Sequence, residues 1–343
     1  MRTEAGCDAA GAVQRFAPDE PHAGGGKVHL PRVQVQIVTH ESADGLAACL
    51  DAVLAQTVAP ACVLIVDNAS TDASVAIAEA YAARHPRVVV HILPHNLGYA
   101  AAHNLGFTRA LDARMTHVLT LNPDVLLRAT YLEHCLAALH DRKGRRSGGA
   151  TGKLLRANGV TLDSTGLIME VFFHARDRGA EQRDEGQYDA VRDVFGVCGA
   201  AALYTASFLN AMHHAAGYVL DETFFFYKED VDLCWRGSLN GFTFLYAPKA
   251  VAKHERGWKA GQRPNALAEA HSFANQLSMV WVYVSPRSAG FWVAQLVEFA
   301  RFLRLLVTRP SVARQIASLL LAQRAHRQEK RRMLRNARRE EGG

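Results

Sequence analysis

The absences in this 343-residue sequence concern membrane insertion and redox chemistry. No run of about 18 uncharged apolar residues occurs, so no transmembrane helix is predicted. The stretch up to Lys27 is rich in alanine and glycine and lacks a cationic start followed by an apolar run. It predicts a flexible leader, residues 1–30, rather than a signal peptide. The six cysteines form no C-x-x-C pair and mostly lie in apolar runs, as is typical of reduced, buried thiols in a cytoplasmic protein.

Two further absences bear on function. Gly98 and Gly106 do not complete a G-x-G-x-x-G pattern, so a dinucleotide fingerprint is a poor explanation of them. The net charge of +6 reflects basic residues gathered near the C-terminus, but no aromatic residues alternate with them. Nucleic acid is therefore not expected as a partner. With 49% hydrophobic and 21% charged residues, the composition is that of a globular protein with one large core.

From Arg32 onward, short apolar strands alternate with segments of helical periodicity. Four such βα units in a row favour an α/β fold with a mostly parallel sheet and helices on both faces. In such sheets, ligands bind beyond the carboxyl ends of the strands. Polar residues at four strand ends are therefore expected to face one crevice. They are Thr39 and Glu41, Asp67 and Asn68, His95 and Asn96, and Asn122 and Asp124.

The second half of the chain is less regular. Residues 143–149 are predicted to form a surface loop, and the charged residues 177–189 a mobile loop. Strands are expected within 151–155 and 162–173. Residues 224–235 return to an ordered pattern.

The turn Asn122-Pro123-Asp124 closes the fourth predicted strand. A carboxylate at this place can hold Mg²⁺ or Mn²⁺, which takes its other ligands from water and a diphosphate. The alternative is a turn that only ends a strand, because asparagine, proline and aspartate are common in turns for local reasons.

Three acidic residues, Glu229, Asp230 and Asp232, lie within four positions and are flanked by aromatic residues. Burial and like-charge repulsion are expected to raise the pKa of at least one of these carboxyl groups. Such a group can act as a general base towards an acceptor hydroxyl. The alternative is an acidic first turn of a helix, stabilised by the helix dipole.

Five short motifs follow one another in a fixed order along the chain. They are Asp67-Asn68-Ala69-Ser70-x-Asp72, Asn96-Leu97-Gly98-Tyr99-Ala100-x-x-x-Asn104, Asn122-Pro123-Asp124, Gly199-Ala200-Ala201-x-Leu203-Tyr204 and Glu229-Asp230-Val231-Asp232-Leu233-Cys234-x-Arg236. In identity and spacing this set resembles family 2 glycosyltransferases, most closely the rhamnosyltransferase-like branch, over about residues 33–254. The resemblance implies a GT-A fold at 31–270, with a nucleotide-binding half (31–145) and an acceptor-binding half (146–270). A helical, basic region is expected at 271–343.

The resemblance also implies roles for single residues on the donor side. Asp67 would hydrogen-bond the nucleotide base, and Thr39 would help to form the same pocket. The other donor contacts would come from Glu41, Asn68, Asn96, Gly98, Asn104 and Asn122. The family more often has asparagine where Glu41 stands.

On the reacting side, Asn122-Pro123-Asp124 occupies the family's D-x-D position, with Asp124 as the metal ligand and His254 as a second metal contact. Asp230 matches the catalytic base, and Glu229 would help to hold the acceptor or the base. These roles imply an inverting transfer, assisted by Mg²⁺ or Mn²⁺, from a dTDP- or UDP-linked sugar. Rhamnose or another deoxyhexose is the expected sugar, in cell-surface polysaccharide assembly.

Two other functions are weighed against this one. A nucleotidyltransferase would need a glycine-rich, lysine-bearing loop after the first strand, and residues 39–46 lack one. A non-catalytic nucleotide-sugar-binding protein would keep the donor pocket but show no turnover.

The C-terminal region carries a predicted amphipathic helix over about residues 289–307. It is apolar except for Gln295, Glu298, Arg301 and Arg304, and a cationic tail follows it. That combination suits a helix at an anionic membrane surface, and hence a peripheral location on the cytoplasmic face and a glycan or lipid-linked glycan acceptor. The alternative is a helix packed on the catalytic domain, with a solvated basic tail.

Overall fold

The computed structural model describes residues 30–141, 145–255 and 265–340, with the backbone alone for 335–340. In its first part, strands and helices alternate as the apolar periodicity predicts; α1, for example, buries Leu46, Cys49, Leu50 and Val53. The elements of this part are β1 (Val33–Thr39), α1 (Ala43–Leu54), β2 (Cys62–Asp67), α2 (Ser74–Arg84), β3 (Val88–Ile92), α3 (Tyr99–Asp112), β4 (His117–Leu121), β5 (Val125–Leu127) and α4 (Tyr131–His140).

The second part contains the two longest strands, β6 and β12, with several short strands between them, and ends in four consecutive helices. Its elements are β6 (Ser147–Arg156), β7 (Leu162–Ser164), β8 (Leu167–Met169), β9 (Ala175–Asp177), β10 (Arg192–Val194), β11 (Ala201–Thr205), α5 (Ala206–Ala216), a 3₁₀ helix (Glu222–Phe224), α6 (Glu229–Leu239), β12 (Thr243–His254), α7 (Ala266–Tyr283), α8 (Ala289–Thr308), α9 (Pro310–Ala322) and α10 (Arg324–Glu340). The predicted boundary at residue 270 falls inside α7.

The central sheet has the strand order β10-β12-β6-β11-β4-β1-β2-β3. Strands β4, β1, β2 and β3 run parallel to one another, whereas β11 is antiparallel to both β4 and β6. Strand β12 returns parallel to β6. Parallel neighbours of this kind place their carboxyl ends along one edge, where the βα loops gather.

The sheet has an apolar core on each face. Along β2, Val63 and Ile65 belong to the core under α1, α2 and α4, whereas Leu64 and Val66 belong to the core under α3 and α5. A strand that is covered on both faces has to be apolar at nearly every position, which explains its unbroken apolar run. The prediction of helices on both faces is therefore confirmed.

The predicted surface loop at 143–149 is wrong for Ser147, Gly148 and Gly149, which begin β6. Residues 143–144 lie outside the described residues. The two glycines serve close packing rather than a turn. A Cβ on Gly148 would lie 2.6 Å from the Phe244 ring, and one on Gly149 would lie 2.5 Å from the carbonyl oxygen of Leu203.

The charged segment 177–189 is irregular, as predicted, but it is anchored to the sheet. Lys153 of β6 is only 6% exposed and donates hydrogen bonds to Asp184 at 2.8 Å and Asp189 at 2.5 Å. Burial of a lysine needs such partners. Two acidic residues of this segment therefore help to hold it against the sheet.

The described cysteines are buried free thiols, as expected, and Cys7 and the leader at 1–29 lie outside the described residues. Burial raises the pKa of the Cys135 thiol to about 12. Along the described part of the chain, no helix combines the length and the apolar content that crossing a bilayer requires.

A cluster of buried charges joins α10 to α6. Lys330 is 8% exposed and donates hydrogen bonds to Asp221 at 2.8 Å and to Asp232 at 2.7 Å. Asp232 also accepts from Arg236 at 2.9 Å and from the Tyr283 hydroxyl. Burial alone would lower the pKa of Lys330, but the two carboxylates outweigh it and hold this pKa well above its ordinary value. The basic C-terminal region is thus partly built into the fold.

We expect Lys330→Met to destabilise the protein by about 3–5 kcal/mol, because it leaves two buried carboxylates without their shared cation. Urea denaturation measures the loss. The matched control is Arg332→Met on the same helix: Arg332 pairs with Glu329 at 2.8 Å, but its side chain is 71% exposed. That change should cost at most about 1 kcal/mol. Equal losses in the two variants would contradict the role given to the buried cluster.

Candidate active site

The polar residues that follow the parallel strands gather at one edge of the sheet. Thr39 and Asp67 are register partners at the ends of β1 and β2. Asn122 follows β4, which pairs with β1 on its other side. This is the crevice that the alternation of strands and helices predicts.

Asp67 is fully buried and is already well supplied with hydrogen bonds. It accepts from the hydroxyl of Thr39 at 2.8 Å, and from the backbone N–H and hydroxyl of Ser70 at 2.9 and 2.6 Å. Thr39 is fully buried as well. These bonds fix the loop that follows β2, and about one acceptor position of the carboxylate remains. The bond from Asp67 to a nucleotide base stays a prediction.

Glu41 joins the loops that follow β1 and β2. Its carboxylate accepts from the backbone N–H and hydroxyl of Thr71 at 2.7 and 3.0 Å. Its φ is +51°, a left-handed conformation that asparagine tolerates better than glutamate. That preference gives a physical reason for the asparagine usual at this position. Contact of Glu41 with the donor stays a prediction.

Asn68 and Asn96 use their side-chain oxygens to shape the loop before α3. The Asn68 oxygen accepts from the backbone N–H of Leu97 at 2.8 Å, and the Asn96 oxygen accepts from that of Gly98 at 2.8 Å. Gly98 has a φ of +87°, and a Cβ there would lie 2.5 Å from the ring of Phe225. The donor-side loop therefore rests directly on the segment that leads into α6.

Asn104 lies on α3, and its amide is paired with backbone beyond the helix. It donates to the carbonyl oxygen of Leu220 at 2.8 Å and accepts from the Leu220 N–H at 2.9 Å. It also donates to Glu222 at 2.9 Å. Asn104 thus holds the segment before α6, and its direct contact with a ribose or diphosphate stays a prediction.

The predicted metal residues Asp124 and His254 lie side by side. The Asp124 carboxylate is 3.3 Å from Nε2 of His254, and the Asp124 side chain is 35% exposed. Nδ1 of His254 hydrogen-bonds the fully buried Asp163 at 2.8 Å, and Asp163 is ion-paired with Arg156 at 2.9 Å. Burial lowers the pKa of His254, but its bonds to the two carboxylates outweigh this and raise that pKa.

This pair fits a divalent cation that takes further ligands from its substrate. Two ligands of an octahedral ion at about 2.1 Å lie about 3 Å apart, which is close to the Asp124–His254 distance. The bond to Asp163 is the kind of carboxylate contact that orients a ligating histidine and directs its other nitrogen at the metal. Within the described ranges, no group of three or more His, Cys, Asp or Glu side chains is placed to hold an ion. The remaining ligands would have to come from water and a diphosphate.

Tyr99 connects the Asn122 turn with the start of α6. Its hydroxyl lies 3.2 Å from Oδ1 of Asn122 and 3.3 Å from the carbonyl oxygen of Gly199. The backbone N–H of Gly199 donates to Asp230 at 3.0 Å. Burial, followed by the charges of Glu229, Asp230 and Asp124 among others, raises the pKa of Tyr99 well above its ordinary value. Through Asn122 and Gly199, Tyr99 therefore links the two predicted halves of the site, at Asp124 and at Asp230.

Glu229 and Asp230 begin α6, where Glu229 is buried and Asp230 is half-buried. Burial, together with the charge of Asp230, raises the pKa of Glu229 to about 8. Burial also raises the pKa of Asp230, although the N–H of Gly199 opposes the shift. Within the described ranges, no hydrogen-bond donor reaches Oε2 of the buried Glu229. A buried carboxyl with a raised pKa and an unused oxygen is typical of an acid–base site.

Comparison with known proteins now bears on this geometry. The family model described as Glycosyl transferase family 2 matches residues 34–157, which run from β1 through the end of β6. Over residues 34–157, the chain therefore matches a family 2 glycosyltransferase domain. One similar protein is the N-acetylglucosaminyl-diphospho-decaprenol L-rhamnosyltransferase of Mycobacterium tuberculosis (strain CDC 1551 / Oshkosh). It is 27% identical over 283 residues, which are 76% of this chain and 87% of that protein.

Solved structures of similar fold extend the comparison beyond residue 157. GalNAc-T7 with UDP, GalNAc and Mn²⁺ matches with a TM-score of 0.55 and 12% identity over 76% of this glycosyltransferase, which spans only 49% of that chain. The mannosyltransferase PcManGT from Pyrobaculum calidifontis, in complex with GDP-Man and Mn²⁺, matches with a TM-score of 0.51 and 16% identity. That match covers 87% of this chain and 76% of PcManGT. The predicted GT-A fold is confirmed.

Three residues of this glycosyltransferase site were absent from the predicted set. Asp163 lies in a short strand with no local signal of function, 91 residues before His254. Gly45 on α1 allows close packing, since a Cβ there would lie 2.9 Å from the carbonyl oxygen of Pro123. Tyr99 stood within the recognised motifs but had no assigned role. Only the tertiary structure brings these residues to the site.

The raised pKa of Glu229 predicts how the stability of the glycosyltransferase depends on pH. Because its folded-state pKa of about 8 exceeds the ordinary 4.5, its contribution to stability is full below 4.5 and is lost as the pH rises through 8. We expect Glu229→Gln to remove about 1 kcal/mol per pH unit of this decline. Urea denaturation across that window measures it. Glu79→Gln, on the exposed face of α2, should keep the wild-type slope; an unchanged slope in Glu229→Gln would contradict the assignment.

Proposed function

We propose that this glycosyltransferase moves a sugar, with rhamnose as the first candidate, from a nucleotide-diphosphate sugar to an acceptor hydroxyl with inversion at the anomeric carbon. The main support is that the half-buried Tyr99 contacts both Asn122, two residues before Asp124, and Gly199, whose N–H donates to Asp230, at the carboxyl edge of the parallel strands. An ion site and an acid–base site on two sides of one crevice match the two ends of a displacement reaction.

The donor would lie over the ends of β1, β2 and β4. Thr39 and Asp67 close the inner end of this region, and the loops held by Asn68 and Asn96 form its rim. The neighbours named above were solved with UDP or GDP-Man, and the mycobacterial relative is named for rhamnose transfer. A dTDP- or UDP-linked sugar is therefore the donor we propose.

Asp124 and His254 would hold Mg²⁺ or Mn²⁺, and the bound ion would offset the negative charge that grows on the leaving diphosphate. Two residues of the chain serve this site from outside it. Asp163 keeps the His254 ring in place, and Asn122 ties the turn to Tyr99.

Asp230 would remove the proton from the acceptor hydroxyl as its oxygen attacks the anomeric carbon. Its Oδ2 is held by the N–H of Gly199, and its raised pKa makes it a better base than a free aspartate. Glu229 beside it would hold the acceptor or share the proton. The inverting reaction needs no covalent intermediate with the enzyme.

The acceptor we propose is a glycan carried on a lipid, during assembly of a cell-surface polysaccharide. The support is the name of the mycobacterial relative, whose acceptor is N-acetylglucosaminyl-diphospho-decaprenol. A lipid-linked acceptor requires the enzyme to work at a membrane. A peripheral place on the cytoplasmic face is consistent with the basic residues of α8–α10.

We expect Asp230→Asn to lower turnover by about 10²–10⁴-fold while donor binding persists, because a general base contributes on that scale and does not contact the nucleotide. The measurement pairs calorimetric binding of a panel of dTDP-, UDP- and GDP-sugars with release of nucleoside diphosphate. Glu79→Gln, at an exposed acid on α2 outside the site, is the control. A wild-type protein that binds a donor without any turnover would instead be a nucleotide-sugar-binding protein, and the proposed reaction would be wrong.

We expect Asp163→Asn to weaken Mn²⁺ binding by about 10–100-fold, because loss of a carboxylate that orients a ligating histidine has effects of that size. Electron paramagnetic resonance of free Mn²⁺, in the presence of UDP, measures the affinity without turnover. Glu181→Gln is the matched control, since Glu181 also pairs with Arg156 but has a 66% exposed side chain and no contact with His254. Equal Mn²⁺ affinities in the two variants would exclude this role for Asp163.

A further inference from the structure

One face of α8 is apolar and exposed along its whole length. The exposed side chains follow one another at intervals of four or three residues, so they share one side of the helix. The opposite side, with Phe291, Ala294 and Glu298, is buried against the protein. We call the exposed set the α8 stripe; it consists of Trp292 (63% exposed), Leu296 (68%), Phe299 (58%), Leu303 (46%) and Leu306 (45%).

The α8 stripe is too regular to be a scatter of single exposed residues. Soluble monomers rarely expose a continuous apolar patch of this length, and such patches mark contact surfaces. In the part of the chain that the structure describes, no other element covers these five side chains. Val307, at the C-terminal end of the same face, is 85% exposed and lengthens it.

Cations border the α8 stripe. Arg287 and Arg304 are exposed, the first just before α8 and the second beside Leu303. At the N-terminal end, the Arg331 guanidinium lies 5.4 Å from the ring centroid of Trp281, which is 47% exposed. The Trp281 ring meets that of Phe291, and Phe291 meets Trp292, at centroid distances of 5.9 and 5.3 Å.

Negative charge is scarce around the α8 stripe. Between residues 289 and 334 the only acidic residues are Glu298 and Glu329. Glu298 is buried against His174 and Arg301, and Glu329 pairs with Arg332. The exposed surface of this region is therefore apolar in its centre and cationic at its edges.

The hairpin formed by β8 and β9 extends this surface. Its tip carries Val171 and Phe172, which are 83% and 42% exposed. The next two residues fix the tip beside α8: the Phe173 ring lies 3.4 Å from where a Cβ on Gly290 would be, and His174 bonds to Glu298. The hairpin therefore packs against α8, and its tip exposes two more apolar side chains beside the helix.

The same hairpin reaches the catalytic pair. The carbonyl oxygen of Ala175, in β9, accepts a 2.7 Å hydrogen bond from Lys228. Lys228 is the residue directly before Glu229 and Asp230. The Phe173 ring also stacks on Trp235 of α6, with ring centroids 6.1 Å apart. The hairpin is therefore joined by a hydrogen bond to the residue directly before α6.

We propose that the α8 stripe and the hairpin tip dock into the headgroup layer of a bilayer that contains anionic lipids. An apolar face with tryptophan and arginine at its margins matches that layer, since the apolar side chains enter the acyl boundary and the cations meet phosphate. A second copy of this chain would bring two cationic margins together, which repel. The orientation that results presents the catalytic cleft to a lipid-linked acceptor, and this consequence rests on the proposed function.

The test is sedimentation of the full chain with vesicles of equal parts phosphatidylglycerol and phosphatidylcholine. We expect the wild type to bind, to bind less as salt is raised, and to bind pure phosphatidylcholine more weakly. The double variant Leu296→Glu/Phe299→Glu should bind at least tenfold more weakly. The control, Leu105→Glu/Val160→Glu, adds the same charge at two exposed apolar positions outside this surface and should bind like the wild type.

A stripe variant that still binds donor in calorimetry has kept its fold, so its vesicle binding can be read directly. If it loses donor binding as well, quenching of wild-type tryptophan fluorescence by brominated phosphatidylcholine decides, with Trp292→Phe expected to reduce the quenching. Equal binding by variant and wild type, or no quenching, would overturn the proposal. The proposal would also be overturned if the wild type bound no vesicles but formed a dimer, and the stripe variant were a monomer. Vesicle binding requires no turnover, so failure of the proposed reaction would leave this result standing.

Discussion

Asp232 holds helix α6 to two other helices, α7 and α10, at once. Its carboxylate accepts from Arg236 on the same helix, from Tyr283 on α7 and from Lys330 on α10. A fully buried carboxylate is stable only with such partners, because removing its charge from water is costly. Since α6 begins with Glu229 and Asp230, the position of the proposed acid–base pair depends on this buried cluster. Of the three clustered acids, Asp232 fixes the helix, and the other two are the proposed acid–base pair.

The donor side and the acid–base side are similarly built from shared backbone contacts. Tyr99 N–H donates to the carbonyl oxygen of Phe225 at 2.6 Å, and the Tyr99 hydroxyl reaches Asn122 and Gly199. Asn104 pairs with Leu220 on the approach to α6. Several residues that the family resemblance assigns to the donor therefore also hold the walls of the cleft.

The four βα units could be predicted from the spacing of apolar residues. A strand covered on both faces is apolar at nearly every position, whereas a helix covered on one face has apolar residues at helical spacing. The raised pKa values of Glu229 and Asp230 were predictable because the acids and the aromatic residues around them are close together in the sequence. The contact of Asp163 with His254 could not be predicted, because it forms only where β7 lies near the end of β12 in the folded structure. The glycines at 148 and 149 led to a wrong loop prediction, because glycine occurs both in turns and where a strand packs closely against its neighbours. The α8 face was foreseen as amphipathic, but its alignment with the hairpin tip needed the tertiary structure.

The contact of Gly98 with Phe225 has a consequence for how this sequence can diverge. The two positions are 127 residues apart, yet the aromatic ring occupies the space that any side chain at 98 would need. A Cβ at 98 would also lie 2.8 Å from the carbonyl oxygen of Phe225, and the φ of +87° disfavours any side chain there, so a smaller residue at 225 would not be enough. Across evolution, position 98 should therefore remain glycine whatever residue stands at 225.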